Sequence, residues 1–189
     1  MKELIEPYNP EWKTGFDNLK LALEQELKGF DCSIQHVGST AIPGLCAKPI
    51  LDIDIIISNK ALLDGISRSL ENLGYKNKGE QGIAGRFAFR QSSALTPLTA
   101  NPKKWQAHHL YVCFDDSLAL KNHLVFRDAL LYDRELVVKY AQLKKELCEE
   151  PGMTREVYTV RKTDFIIAAL QSLGLKATEL QEINKANGK

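Results

Sequence analysis

Apolar and polar positions repeat with two different periods along this chain, and the period changes from one segment to the next. After Asn9 and Pro10, apolar side chains recur every three or four residues, which is the spacing of one buried helix face. The members of this face are Trp12, Phe16, Leu19, Leu23 and Leu27. Asn9 is a suitable cap and Pro10 a suitable first helical residue. The pattern therefore predicts an amphipathic helix over residues 10–28.

Later segments are shorter, rich in β-branched and aromatic residues, and alternate with a period of two, which is typical of strands. The predicted strands span residues 32–37, 50–57, 86–90 and 108–114. Helical periodicity dominates the second half of the chain. The further predicted helices span residues 61–73, 117–131, 134–148 and 154–173. Strands early in the chain and helices late in it indicate an α+β domain.

The length of 189 residues fits one domain with a real core, which we place at residues 1–176. Residues 177–189 read as a polar tail that frays. The chain is 44% hydrophobic and 26% charged, with a net charge of +1. This balance is typical of a soluble globular protein and provides no global field for nucleic acid or an anionic membrane.

The compartment and the class of partner follow from what the sequence lacks. The first residues contain no apolar run of the signal-peptide kind, and no segment reaches the length of a membrane span. The four cysteines are widely scattered, as in a protein with reduced thiols. We therefore expect a cytoplasmic protein. No basic stripe with interleaved aromatic residues indicates RNA or DNA binding.

Two motifs with chemical potential lie close together in the chain. Gly38 and Ser39 follow a predicted strand, where glycine lets the backbone approach a ligand and a serine hydroxyl with free amides can face an anion. Asp52 and Asp54 alternate on the next strand, so their carboxylates share one face while Ile53 points to the other. Paired carboxylates suit Mg²⁺ or Mn²⁺, although an exposed strand with acids on its wet face is the simpler alternative.

A strand ending in Gly-Ser, followed by Asp-hydrophobic-Asp, resembles the core signature of the nucleotidyltransferase superfamily, which has the polymerase-β-like fold. A more extensive resemblance is to the GrpB family (UPF0157 type). The segments that carry it are His36–Leu45, Ala47–Ile53, His108–Val112, Leu124–Asp128, Tyr140–Lys144 and Tyr158–Lys162. The resemblance implies a nucleotidyltransferase-like fold, with a small mixed β-sheet flanked by helices and a helical C-terminal part.

The resemblance also implies a ligand and a division of roles. The ligand would be a nucleoside triphosphate with Mg²⁺ or Mn²⁺, held by Asp52 and Asp54, with Gly38 and Ser39 at the phosphates. An enzyme of this kind would move a nucleotidyl group to an acceptor that the sequence does not identify. In nucleotidyltransferases a third carboxylate usually lies on a neighbouring strand, and here His109 stands where that acid is expected. His109 is therefore a candidate base or metal ligand.

Five further residues are candidates for nucleotide or phosphate binding, each with a structural alternative. They are His36, Lys48, Arg86, Tyr158 and Lys162. His36 could instead be a buried structural histidine, Lys48 an exposed loop lysine, and Arg86 a partner in a surface ion pair. Tyr158 and Lys162 share one helical face, where tyrosine could pack on the base and lysine could bind phosphate; a solvated helix end is the alternative for both. The loops at residues 78–82 and 92–105 are expected to determine specificity.

Two other functions stay open at this stage. The missing third acid motivates a nucleotide-binding or regulatory module without catalysis. A partner-binding scaffold with a vestigial site is the third possibility.

Overall fold

A five-stranded mixed sheet forms the centre of the molecule in the computed structural model, which describes residues 5–187. The strands are β1 (Ser33–Val37), β2 (Leu51–Ile57), β3 (Tyr75–Asn77), β4 (Arg86–Gln91) and β5 (His108–Phe114). They lie in the order β1-β2-β5-β4-β3. β2 and β5 are parallel, and the other three pairs are antiparallel. The α+β class and the small mixed sheet are thereby confirmed.

Helices surround the sheet and dominate the second half of the chain, as predicted. They are α1 (Glu11–Glu26), α2 (Leu63–Asn72), α3 (Leu118–Tyr132), α4 (Arg134–Glu149), α5 (Arg155–Ser172) and α6 (Ala177–Asn187). α3, α4 and α5 begin at side-chain caps, where Ser117, Asp133 and Thr154 each accept a hydrogen bond from the N–H three residues further on. Across residues 5–187, no helix combines the length and the apolar character needed to span a membrane.

The largest hydrophobic core lies between one face of the sheet and the helices α1 and α2. Alternate residues of β2 and β5 are aliphatic on this face and fully buried, among them Ile53, Ile55 and Leu110. The predicted apolar face of α1 packs against them, and α2 adds Ile66 and Leu70. This packing makes the sheet a rigid platform for whatever lies on its other face.

The other face of the sheet is polar at its centre and is turned toward the helical half of the chain. Asp52 and Asp54 of β2 are paired in register with His109 and Tyr111 of β5. Partner residues in a sheet point to the same side, so all four side chains share this face. The prediction that both carboxylates project opposite Ile53 is confirmed.

The C-terminal segment differs from its prediction as a frayed polar tail. Residues 177–187 form α6, which buries Leu180 and Ile183 against Leu170 of α5. The two apolar side chains are three residues apart and lie on one helical face, while the rest of the helix is polar. The segment was predicted as a tail because its average hydrophobicity is low, although two of its apolar side chains form a narrow buried stripe.

Candidate functional site

A tight turn at Gly38 joins the end of β1 to the carboxylates of β2. Gly38 has φ 70°, a backbone conformation that glycine adopts without strain. A Cβ atom at this position would overlap the Asp52 carboxylate. Ser39 then opens a short 3-10 turn (Ser39–Ala41), and buried Tyr140 lines the same cavity as this serine. The turn and Asp52 therefore form one packed unit.

Each strand carboxylate is hydrogen-bonded to a histidine. Asp52 Oδ1 lies 2.9 Å from His109 Nδ1, and Asp54 Oδ2 lies 2.8 Å from His123 Nδ1. Because a carboxylate accepts hydrogen bonds, each histidine donates from Nδ1, and Nε2 is the nitrogen that can accept when the ring is neutral. The register places His109 directly beside Asp52, at the strand position where a third acid was expected.

The two carboxylates differ sharply in their access to solvent. The side chain of Asp52 is 34% exposed, whereas that of Asp54 is fully buried. Asp54 Oδ1 has no hydrogen-bond partner among the residues that the structure describes. An unsatisfied buried oxygen is costly, so a cation or hydrogen-bond donor that reached this atom would relieve that cost.

Sequence reasoning missed His123. It lies on α3, 69 residues from Asp54 in the chain, and reaches the strand only through tertiary packing. Neither its neighbours nor its spacing mark it out, because a histidine on an amphipathic helix is compatible with many surface roles. Arg127, one helical turn further on, binds Gln35 Oε1 and the carbonyl oxygen of His36, and so anchors α3 to β1.

Three lysines from three different segments converge beside Ser39 and Asp52. Lys48, Lys144 and Lys162 line one cavity of about 490 Å³ together with those two residues. Lys144 is buried, donates to the carbonyl oxygen of Cys46, and lies 4.7 Å from the centre of the Tyr140 ring. Burial lowers the pKa of Lys144 to about 8 and also lowers the pKa of Lys162. Such a cluster of cations, two of them desolvated, favours binding of a polyanion.

Tyr158 organises two of these lysines. Its ring is buried, with Lys48 Nζ 5.3 Å and Lys162 Nζ 5.9 Å from its centre. These distances are within the range of cation–π contacts. Tyr158 thus lies in the predicted site, and its ring packs against two ammonium groups. A nucleobase could stack on the ring only by displacing them.

Four predicted site residues do not line this cavity: Gly38, Asp54, His36 and Arg86. His36 points to the opposite face of the sheet, stacks on Phe16 at 4.6 Å, and lies 3.0 Å from Thr40 Oγ1 through Nε2. Burial lowers its pKa to about 4, so it is neutral and supports the turn from behind. Arg86 lies over the Tyr111 ring at 4.5 Å, on the far side of the carboxylate pair from Lys48.

A smaller cavity of about 220 Å³ lies next to the lysine cavity. Its lining includes Gly38, Ser39, Asp52, His123 and Lys162. The two cavities share Ser39, Asp52, Thr159 and Lys162, so the turn, the exposed carboxylate and one of the lysines face both spaces. Within the described part of the chain, the loop at residues 92–105 lines neither cavity.

Comparison of sequences relates the chain to a family of bacterial proteins. Residues 4–172 match the sequence model of the family described as GrpB protein. The glutamate-rich protein GrpB of Alkalihalophilus pseudofirmus is 29% identical over 171 residues, which cover 90% of this chain and 95% of that protein. The UPF0157 protein YqkA of Bacillus subtilis is 31% identical over 86% of this chain, which spans 44% of YqkA.

Comparison of structures gives the same family and adds a fold relationship. The crystal structure of GrpB from Enterococcus faecalis has a TM-score of 0.71 and 28% identity, covering 89% of this chain and 98% of that one. The poly(U) polymerase Cid1, in a structure with MgGTP bound, has a TM-score of 0.60 and 18% identity. That match covers 88% of this chain and 52% of the Cid1 chain, and it shows a shared nucleotidyltransferase-like fold. Together with the matched residues 4–172, these likenesses show that the chain belongs to the GrpB family.

Proposed function

We propose that this protein binds a nucleoside triphosphate together with Mg²⁺ or Mn²⁺ and transfers its nucleotidyl group to an acceptor. The observation that carries the proposal is the convergence of three lysines, the Gly38–Ser39 turn and Asp52 on one cavity. This set combines cations for phosphate with a carboxylate for a metal ion. Its position on a nucleotidyltransferase-like fold supports the same function.

The triphosphate would occupy the lysine cavity. Lys48, Lys144 and Lys162 provide positive charge on one side, and Ser39 provides a hydroxyl on the other. Partial desolvation strengthens each charge interaction with phosphate relative to water. Contacts with the terminal phosphates would also stabilise the charge that develops on pyrophosphate as it leaves.

The residues present fit a metal ion that arrives with the nucleotide. Residues 5–187 contain no group of three or more His, Cys, Asp and Glu side chains suited to a metal. Asp52 and the unpartnered Oδ1 of Asp54 are hard oxygen donors on one strand face, and phosphate oxygens would complete the coordination. Asp52 and Asp54 would hold the ion, which supplies Lewis-acid stabilisation of the phosphoryl oxygens when bound.

The remaining chemistry belongs to the side chains of this protein. An acceptor hydroxyl would attack the α-phosphorus, the bond to the bridging oxygen of the β-phosphate would break, and pyrophosphate would leave with the electron pair. A histidine held by a carboxylate would take the hydroxyl proton at Nε2. It would be His109, whose Nδ1 is bonded to Asp52, or His123, whose Nδ1 is bonded to Asp54. The buried Asp54–His123 pair would hold β2 against α3.

A non-catalytic nucleotide-binding module is the second candidate. The observation that favours it is His109 beside Asp52 in place of a third carboxylate, because histidine adds no negative charge for a hard cation. Such a module would bind nucleotide at the same lysine cavity and release no pyrophosphate with any acceptor pool.

A thermal-shift titration tests the proposal. The four ribonucleoside triphosphates are added with and without Mg²⁺ to the wild type, Asp52→Asn and the Asp52→Asn/Asp54→Asn double variant. A ligand that binds only the native state raises Tm with concentration. We expect a magnesium-dependent rise in the wild type that both variants lose. Asp115→Asn, an exposed acid after the end of β5, serves as the control and keeps the rise.

The outcomes separate the candidate functions. A shift that survives in the double variant would contradict the assignment of Asp52 and Asp54. A shift without pyrophosphate release from a metabolite extract would favour the non-catalytic module. Complete insensitivity of the wild type to every nucleotide would exclude both and favour the partner-binding scaffold.

A further inference from the structure

A third cavity opens on the opposite side of the carboxylate pair from the lysines. It has a volume of about 420 Å³ and lies between β4, the preceding loop, α3 and α6. Its lining includes Ile83, Arg86, Leu118, Asn122, His123 and Ile183. A space of this size is typical of pockets for small molecules. α6, which the sequence analysis predicted to be a frayed tail, forms one wall of this cavity.

Arg86 is the distinctive group in this cavity. Its Nε is buried and has no hydrogen-bond partner among the described residues. Its guanidinium carbon lies 4.5 Å from the centre of the Tyr111 ring, a cation–π contact that orients the plane and supplies no hydrogen-bond acceptor to Nε. A buried cationic donor without a partner is costly, and a carboxylate or phosphate oxygen is its best complement.

The cavity is connected to the proposed nucleotide site through two residues of α3. Asn122 and His123 line both this cavity and the 220 Å³ cavity that contains Asp52. That central cavity in turn shares Ser39, Asp52 and Lys162 with the lysine cavity. The three spaces therefore follow one another, with the lysines at one end, Asp52 and His123 in the middle, and Arg86 at the other end.

This order matches the geometry of nucleotidyl transfer. The attacking oxygen and the leaving pyrophosphate oxygen lie roughly in line on opposite sides of the α-phosphorus. If the terminal phosphates bind the lysines, the acceptor has to approach from the Arg86 end. The lining at that end combines an apolar wall with the Arg86 guanidinium, Lys185 and the Glu182 carboxylate, so its charge is net positive and suits a small, partly apolar anion.

We propose that the Arg86 cavity is the acceptor site and that the acceptor is a small molecule with an anionic group near a nucleophilic hydroxyl. This inference rests on the proposed nucleotidyl transfer. The anion would pair with Arg86 and the hydroxyl would point past His123 toward the α-phosphorus. Its oxygen forms the new bond to phosphorus, pyrophosphate leaves with the electrons of the broken bond, and the proton passes to Nε2 of His123, which lines both the Arg86 cavity and the central cavity.

The helix α6 covers one side of the cavity. Ile183 on α6 and Ile83 before β4 both line the cavity. The anionic group of the acceptor could be a carboxylate or a phosphate, because both present the same kind of anionic oxygen to Arg86. The experiment therefore includes both as separate arms.

The test uses backbone amide NMR on the full chain. The probes are hydroxy acids and hydroxy amino acids (glycolate, lactate, serine) in one arm and sugar phosphates (glucose 6-phosphate, ribose 5-phosphate) in the other. Each is titrated with and without a non-hydrolysable nucleoside triphosphate and Mg²⁺. We expect saturable shifts at residues 82–86 and 182–186 from one arm. The nucleotide should shift residues 38–41 and 158–163 instead.

Variants identify the anion contact. Arg86→Met should lower the affinity for the probe about 10- to 100-fold, the loss expected for a charge-assisted hydrogen bond. It should leave the affinity for the nucleotide unchanged. Arg90→Met is the matched control, because Arg90 lies on the same strand and is exposed, and it should bind the probe like the wild type.

Three other results would each contradict the acceptor site, the proposed function or both. If nucleotide binds but neither arm shifts residues 82–86, the acceptor site is wrong and the proposed function stands. If the nucleotide itself shifts those residues and loses affinity in Arg86→Met, the cavity holds the nucleoside and the acceptor role is again wrong. If the probes bind and no nucleotide does, the proposed function fails, and the acceptor role fails with it.

Discussion

At the residue scale, the site depends on a glycine that touches a carboxylate. Gly38 combines a positive φ with direct contact to Asp52, so the Gly-Ser turn and the Asp-x-Asp strand are joined at one point. The sequence placed the two motifs 14 residues apart and predicted that both serve one ligand. The contact explains why glycine is required there on steric as well as conformational grounds.

Gly38→Ala is expected to lower the free energy of unfolding and to abolish nucleotide binding. Positive φ alone costs an alanine on the order of 1 kcal/mol, and overlap with Asp52 adds to that cost. Gly79→Ala is the matched control, because Gly79 has φ 66° and no atom within 4 Å of the added Cβ. Urea denaturation and nucleotide titration of both variants check the prediction. Equal losses in the two variants would show that contact with Asp52 is unimportant.

A second residue-scale feature is the buried ammonium group of Lys144. Burial lowers its pKa to about 8, and the other charged groups around it include Lys162 and, more distantly, Lys48. A bound polyanion favours the charged form of lysine. Nucleotide affinity should therefore be retained below pH 8 and fall as the pH rises through that value.

Isothermal titration calorimetry with a nucleoside triphosphate between about pH 7 and pH 9.5 measures how nucleotide affinity depends on pH. Lys144→Met removes the titrating group at similar volume, so it should bind more weakly at pH 7 and show a shallower decline with pH. Lys145→Met, which changes an exposed neighbour, should retain the decline of the wild type. An identical pH profile for Lys144→Met and the wild type would contradict the role of Lys144 at the phosphates.

At the scale of elements, the clearest contrast is between β2 and α6. β2 was predicted to within one residue, because a continuous run of β-branched residues has few other stable conformations. α6 was predicted as a tail, because its buried face consists of little more than Leu180 and Ile183. A stripe this narrow becomes stable only when α5 supplies the complementary surface.

Leu180→Ala should destabilise the protein by roughly 2–4 kcal/mol if α6 is a packed element. Leu180 is buried among Leu170, Leu175 and Ile183, so truncation leaves a cavity. Leu173→Ala, at a site that is 46% exposed, is the control and should cost less than about 1 kcal/mol. Chemical denaturation measures both values. A negligible loss in Leu180→Ala would mean that α6 does not contribute to the folded core.

At the scale of the whole molecule, the candidate site lies between two structural halves. Asp52 and the Gly38 turn belong to the sheet, whose core is shared with α1 and α2. Lys144 and Lys162 belong to helices that pack in separate hydrophobic clusters, one built around Tyr140 and another around Tyr158. A ligand in the lysine cavity would therefore contact both halves at once.

Hydrogen exchange should detect this bridging. A nucleoside triphosphate with Mg²⁺ is expected to slow amide exchange at residues 38–41 on the sheet side and at residues 158–163 on α5. Both regions gain protection because opening either one breaks contacts with the same ligand. Residues 92–105, which line none of the three cavities within the described chain, provide the internal reference. Protection confined to one half would contradict binding across the interface.

The sequence by itself determined most elements, the α+β class and the shared face of Asp52 and Asp54. These features depend on local periodicity and on the geometry of a single strand, which short-range sterics dictate. Tertiary structure alone decided that His123 bonds Asp54, that Lys144 joins the site, and that His36 and Arg86 lie outside the lysine cavity. Those contacts join residues far apart in the chain, and only the packing of helices against a twisted sheet brings them together.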